Sequence, residues 1–449
     1  MLWREPVFPC LEKMMYPLLY PSPLDRVSWP YWALGCYLMI FISIVHADET
    51  ILSIEQAVQL AQAGNPGLAE IKARAEALAA IPSQEGALPD PTLNFDTLNV
   101  PTSSFSLHKE DMTMMDVGVS QTIPFPGKLA LKEQAAEQEA LAAADSVDVA
   151  RLRLVRDVKQ AWWRLFYYDR AINVIAESEQ FFQQLIDTAQ SRYKAGQGQQ
   201  QDVLLAQLEL SKLKDEKIEL ISMRHSTGIQ LNTLLSRNSD TLIKLPDQAE
   251  IKTPVLVVAD LQTQAMEHSP LFEQHRKMLG AAKTRIEIAE KDFYPDLTLG
   301  AGYAVRQNTP SSESRSDFAS VKLSINLPIY AEQKQAKAVD QRNSELLQEQ
   351  YALQDEHNKV HGEIAANTAQ YLHAKQRLAL FEHEIIPQAQ QTVSSLMAGY
   401  PVGKADFSNL LRTQLSLFQY QSQYWKSLVE TQQLLAELSN LIGEELTHD

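Results

Sequence analysis

Four short stretches of the chain alternate apolar and polar residues with a period of two. The clearest run through Leu297, Leu299, Ala301, Tyr303 and Val305, and through Val321, Leu323, Ile325, Leu327 and Ile329. Less regular counterparts lie around Leu93 and Phe95, and around Val117 and Val119. Alternation of this kind predicts strands, at about 91–100, 115–124, 295–306 and 318–329. Strands of this length with one apolar face suit a membrane barrel, although a soluble hairpin alternates in the same way. Polar, serine-rich links, "PTSSFSLHKED" after Val100 and "NTPSSESRSD" after Gln307, read as exposed loops. Aromatics bracket the strands: Phe125, Phe293, Tyr294 and Tyr330 at one end, Phe105 and Phe318 at the other, as at membrane interfaces.

Elsewhere the pattern is helical. From Leu154, apolar residues recur at alternating spacings of four and three: Val158, Ala161, Leu165, Tyr168, Ile172, Ile175, Phe182, Ile186, Ala189 and Tyr193, interrupted by Glu179. That is a coiled-coil seam. The run from Gly127 to Arg192 contains no further proline or glycine and at 1.5 Å per residue would extend ~100 Å. "YKAGQG" breaks it, and a second helix returns from about 199 to 236.

The chain is written twice. "NPGL" at Asn65 resembles "SPLF" at Ser269, "PTLNF" at Pro91 resembles "PDLTL" at Pro295, and "VGVSQTIP" ending at Pro124 resembles "VKLSINLP" ending at Pro328, all offset by 204 residues. "YKAGQGQQQDVLLAQ" from Tyr193 resembles "YPVGKADFSNLLRTQ" from Tyr400, offset by 207. A near-constant offset over four landmarks marks an internal duplication. The expected organisation is a leader over 1–47, a first repeat over 48–256 and a second over 257–449. Each repeat holds an ascending helix (53–82, 258–292), two strands and a long helical hairpin, ending at 236 and about 443. Each return helix is too short to reach the strands, so the next ascending helix is expected to complete it. The segment 237–256 then forms an equatorial belt. The expected class is mainly α with a small β part. Four strands cannot close a barrel and an open edge is not tolerated in lipid, so strands of this kind require an oligomer.

Composition adds exclusions. The 449 residues carry a formal net charge of −16, which argues against a nucleic acid partner. Tyr31–Val45 is an apolar run followed by "HADET", expected to be a secretory signal cut at Ala47/Asp48 rather than an anchor. Both cysteines, Cys10 and Cys36, lie in that leader, so the mature chain is expected to lack disulfides and thiolate metal sites. Cys36 as a lipid-attachment site is disfavoured, because the apolar run continues past it. "DMTMMD" (Asp111–Asp116) contains thioethers suited to soft metals but reads better as membrane-facing methionine. His357 and His361 are spaced to share a metal, yet no third ligand is specified; with His373 and His383 they read as exposed helix histidines. No phosphate loop, HExxH or GxSxG is present, so neither enzyme activity, nor a cofactor, nor a resident metal is expected.

The duplicated plan, "SQTIPFPGK", "YKAGQGQQQDVLLAQ" and "AGYPVGKADFSNLL" resemble the TolC family of outer membrane efflux proteins over about residues 51–445, and "QTIPFPGKLAL" looks most like its CzcC-type heavy-metal branch. The resemblance implies a homotrimer with a shared barrel in outer membrane lipid and a helical tunnel across the periplasm. It further implies docking to a periplasmic adaptor and an inner-membrane RND pump, with heavy-metal cations as cargo. Export of drugs, solvents or proteins by the same fold is the alternative, and a periplasmic coiled-coil adaptor is the alternative of another class. By the same resemblance Tyr193, Gly196, Tyr400 and Gly403 shape the tip turns that meet the adaptor. Asp202 matches the acidic constriction; Asp406 lies a turn before Asn409 and Arg412, which stand where acids often occur, and Arg412 is a candidate partner for Asp202 or Asp406. Pro91, Pro124, Pro126, Gly127, Pro295 and Pro328 are expected at the barrel–tunnel junction, where a strand must end and turn into a helix.

Overall fold

The computed structural model describes residues 51–446; the expected leader, its cleavage site, Cys10 and Cys36 lie outside the described residues. In chain order the elements are α1 (Ile54–Gly64), α2 (Pro66–Ala79), α3 (Ile81–Glu85), β1 (Thr92–Leu98), β2 (Met114–Ile123), α4 (Lys128–Lys194) and α5 (Gln200–Leu234). These are followed by α6 (Val258–His268), α7 (Pro270–Lys291), β3 (Leu297–Val305), β4 (Phe318–Ile325), α8 (Gln335–Leu380), a π-turn (Phe381–Ile385), α9 (Ile386–Gly399) and α10 (Phe407–Ile442).

Two continuous ascending helices were expected, at 53–82 and 258–292, and both are broken. Asn65 and Ser269 are extended, each just before a proline that opens the next helix. A residue preceding proline is pushed out of the α region, and proline itself fits the first turn. The first helix breaks again at Ala80, ahead of α3 and its Pro82. The long second-repeat helix starts at Gln335 and widens into the π-turn just before Pro387, whose missing N–H leaves the ordinary ladder incomplete.

The 67-residue α4 is the spine. Along its strand-proximal half it holds α7, through Arg285–Glu139 (2.6 Å) and Lys277–Asp145 (2.6 Å). Farther along it holds α5 through Lys217–Glu179 (2.6 Å) and Arg224–Asp169. Thus α7 and α5 pack on successive lengths of α4, and Glu179, which interrupts the apolar seam, is an ion-pair partner. The seam is buried at Leu154, Val158, Ala161, Leu165, Ile175, Phe182, Ile186 and Ala189; Tyr193, expected as its last member, is exposed. α10 packs on α4 through Arg156–Glu437 (3.2 Å) and the Phe166–Trp425 contact. Trp162, 1% exposed, donates its indole N–H to the Leu52 carbonyl (2.9 Å), tying the chain's first described residues to the spine. The segment between α5 and α6 forms no regular element and buries Ile243, Leu245 and Leu256.

The strands form one antiparallel sheet in the order β1-β2-β3-β4. Val117 stands between Phe95 and Tyr303, Val119 between Leu93 and Ala301, and Ala301 faces Val321, so one face is mainly apolar, with Thr97 and Gln121 its polar members. The opposite face carries Asn94, Asp96, Asp116, Ser120, Thr298 and Lys322 among glycines and other small residues, with Leu98, Met114 and Phe318 at its far end. The apolar face is open: Phe95, Val119, Leu299, Tyr303, Val321 and Leu323 are all exposed, and β4 is exposed at every position, whereas Met114 and Ala304 on the opposite face are buried. The outer edges of β1 and β4 have no strand partner among the described residues. None of the described helices is long and apolar enough to cross a membrane.

Candidate functional site

Two places gather the residues singled out by sequence. The first is the tip, where α4 turns into α5 and α9 into α10. Both turns are built alike. Gln197 N–H donates to Arg192 O (2.8 Å) and Gly196 N–H to Tyr193 O (3.0 Å); at the second turn Lys404 N–H donates to Gly399 O (3.0 Å) and Gly403 N–H to Tyr400 O (3.1 Å). Gly196 and Gly403 adopt φ of +70° and +72°, the left-handed conformation that closes a helix with these bonds and that a side chain disfavours.

The matching tyrosines differ. Tyr193 is 49% exposed, whereas Tyr400 is 2% exposed, packed on Phe407 at 5.7 Å between ring centres. Arg192 sets the difference. Its guanidinium lies 4.6 Å from the Tyr400 ring centre and donates to the Tyr400 carbonyl and, at 2.9 Å, to that of Gln197. One arginine therefore bridges the two turns. The Tyr400 hydroxyl reaches Asp202 Oδ2 at 3.5 Å. Burial, and then the charge of Asp202, push the Tyr400 pKa up to about 12, so it remains a donor.

Of the four gate candidates, Asp202 lies at the start of α5, and Asp406, Asn409 and Arg412 lie at the start of α10. Asp406 caps α10, accepting from the Asn409 N–H (3.1 Å). Asn409 and Arg412 are exposed, and Arg412 makes no ion pair among the described residues, to Asp202, Asp406 or any other acid. Sequence reasoning overlooked Arg192; its place immediately before "YKAGQG" was the available signal.

The second place is the strand–helix junction. Pro91 precedes β1, Pro124 follows β2, and Gly127 (φ +86°) starts α4. Pro295 stands just before β3, and Pro328 lies beyond β4. Pro126 directly precedes that left-handed glycine. Lys128, 7% exposed, is held by Asp292 (2.9 Å) and Asp296 (3.0 Å). Asp296 also accepts from the Phe125 N–H (2.8 Å), and Phe125 stacks on Tyr294 at 4.5 Å. Burial by itself would lower the Lys128 pKa, but the bonds to both carboxylates outweigh it and the net direction is up, so the amine stays charged. This clamp joins the corner leaving β2 to the corner entering β3. It was not read from the sequence, because its partners lie some 165 residues apart.

At the far end of the sheet Arg315 gathers both loops, pairing with Asp111 (2.5 Å) and donating to the His108 carbonyl (3.2 Å). Asp111 of "DMTMMD" is thereby committed to an ion pair. The His357 and His361 rings lie 3.9 Å apart between centres, tilted by 32°, and among the described residues no group of three or more metal-binding side chains forms.

The comparisons agree with this geometry. The chain matches the description "Outer membrane efflux protein" over residues 57–237 and again over 261–444. It is 23% identical over 240 residues to an uncharacterized protein of Haemophilus influenzae, an alignment spanning 51% of this chain and 50% of that protein, so about half the relative's length. It is 21% identical over 403 residues to the cobalt-zinc-cadmium resistance protein CzcC of Cupriavidus metallidurans, covering 87% of this chain and 90% of CzcC. In fold it is similar to the outer membrane protein VceC of Vibrio cholerae, with a TM-score of 0.75 and 18% identity over 88% of this chain and 97% of that one. Mainly helical, with one four-stranded sheet, and matched twice over most of its length, the chain belongs to the outer membrane efflux protein family, a family of transport channels rather than enzymes.

Proposed function

We propose that three copies of the chain close a shared barrel in the outer membrane, continue it as a helical tunnel across the periplasm, and serve as the passive exit duct of a tripartite efflux system for heavy-metal cations. The observation that carries this reading is the sheet. Its four strands have one apolar and one polar face, no covering layer and two unpaired edges. An open edge is not tolerated in lipid, and four strands are too few to close a barrel. Copies joined edge to edge remove both problems, with the apolar face toward lipid and the polar face toward water. The helices support the same arrangement: α5 exposes Leu204, Leu208, Ile218 and Ile221, and α8 exposes Leu347 and Tyr351, apolar faces suited to neighbouring copies.

In this reading the two repeats form two similar staves of each protomer's wall. The prolines and Gly127 mark the barrel–tunnel junction. Tyr193, Gly196, Tyr400 and Gly403 shape the turns offered to a periplasmic adaptor beneath an RND pump, and Asp202, Asp406, Asn409 and Arg412 surround the entrance. The metal cargo is supported by the full-length similarity to CzcC and by the "QTIPFPGKLAL" wording.

The test is a susceptibility panel on a deletion strain complemented by the intact gene, setting copper, silver, zinc, cobalt, nickel and cadmium against dyes, bile salts and antibiotics. Sensitivity confined to metals is expected. Sensitivity to organic compounds with metals unaffected would leave the duct standing and remove the metal cargo.

A further inference from the structure

We infer that β4 of one copy pairs antiparallel with β1 of the next, and that Lys322 of the first forms an ion pair with Asp96 of the second on the polar face of the sheet. The inference rests on the shared-barrel reading above and adds to it which strands meet and what charge pair joins them.

The strands contain three charged residues: Asp96 on β1, Asp116 on β2 and Lys322 on β4. All three lie on the polar face. Asp96 stands directly opposite Asp116. A Cβ placed on Gly302 would lie 2.9 Å from the Asp116 carboxylate oxygens, and one on Gly300 would lie 3.5 Å from the Lys322 Cβ. Like charges directly opposite one another destabilise a strand pair. Within one copy nothing relieves this pair: Asp96 and Lys322 make no ion pair among the described residues, and Asp116 Oδ1 is buried without a partner. The one cation of the sheet and Asp96 of the acidic pair are thus on its two opposite edge strands. Joining copies edge to edge brings them together.

The register supports the same contact. Successive strands of the sheet are antiparallel, so β4 and the next copy's β1 meet antiparallel as well. The β2–β3 pairing sets Gly118 opposite Gly302 and Ser120 opposite Gly300. Carried over by the 204-residue offset, it sets Lys322 opposite Leu98 and Ser324 opposite Asp96, so that Lys322 and Asp96 are diagonal neighbours, within reach of a long side chain. The internal registers differ by one two-residue slip: Leu93 faces Val119, whereas Leu299, not Leu297, faces Leu323. A slip of that size at the seam keeps every side chain on its face. In one sense it puts Lys322 directly opposite Asp96; in the other it separates them.

The test uses the full chain in outer membranes, with Cys10 and Cys36 replaced by serine. Thr97→Cys is combined in turn with Val321→Cys, Leu323→Cys and Ile325→Cys, all on the apolar face, and inter-chain disulfides are read on denaturing gels. The expected product is strongest for 97 with 323, the diagonal register; 97 with 321 marks direct opposition and also supports the pair. A dominant 97–325 product, or no inter-chain product from an oligomer of native size, overturns the seam while leaving the oligomer intact. Absence of any oligomer from the parent chain overturns the shared-barrel reading as well. Separately, Lys322→Glu is expected to lower the temperature at which the oligomer dissociates, and Asp96→Lys combined with Lys322→Glu to restore it. A single variant as heat-resistant as the parent, or a double variant no better than the single, overturns the ion pair.

Discussion

Tyr193 and Tyr400 occupy matching positions, yet one faces solvent and the other is enclosed by Arg192 and Phe407. The sequence identified both turns and both glycines, because a glycine ending a helical pattern has a local signature. It did not separate the tyrosines, because what separates them comes from the other turn. Replacing Arg192 with alanine removes the ring contact and a bond to the Tyr400 carbonyl, a loss of about 1–2 kcal/mol. Faster amide exchange across 195–199 and 400–406, with exchange in the middle of α4 unchanged, is the expected result. Asp406→Ala removes the α10 cap and should cost about 1 kcal/mol, while Asp406→Asn keeps most of it. At His361, burial first and the neighbouring His357 second hold the pKa below its ordinary 6.5. The folded chain therefore binds this proton less readily than the unfolded chain. Stability from this site is full above about pH 6.5 and falls as the pH drops toward the folded-state value. Thermal unfolding followed between pH 7.5 and 5.5 should show a shallower decline for His361→Gln than for the parent.

At the level of elements, strand and long-helix positions were legible to within a few residues, since periods of two and of three to four are written directly in the residues. The breaks at Asn65–Pro66 and Ser269–Pro270 were legible too, had the residue before each proline been read as extended. The Lys128 clamp was not, as nothing local in "PFPGKLAL" names Asp292 or Asp296. Its consequence is specific. Lys128→Met leaves two carboxylates facing each other at the turn and should cost about 2–3 kcal/mol. The loss should appear as a lower melting temperature and as protease sensitivity near residues 124–128 and 292–296. Adding Asp292→Asn should recover part of it, because one of the stranded charges is then gone. The lengths of α5, α6 and α7 also explain why the long α4 is needed: a continuous helix can hold two shorter ones in line only if it spans the joint between them.

At the scale of the whole molecule, the duplication, the mainly helical class and the sheet were all readable, because repeats and periodicity are properties of one chain. What lay beyond the sequence is what one chain leaves unfinished: open edges, an uncovered apolar face and an Arg412 with no ion pair among the described residues. The proposed trimer should run on a denaturing gel as a high-mass band that collapses to a single chain on boiling. The uncovered sheet also bears on how the protein is made. A sheet whose apolar face is bare has little to hold it in water, whereas the helices around α4 bury three clusters of their own. The helical part can therefore fold while the chain is still alone, and the strands reach their final form only when neighbours and lipid arrive together. Maturation should then slow steeply as the chain is diluted, and the waiting protomer, with two bare strand edges, is the species that a holding chaperone must shield from aggregation.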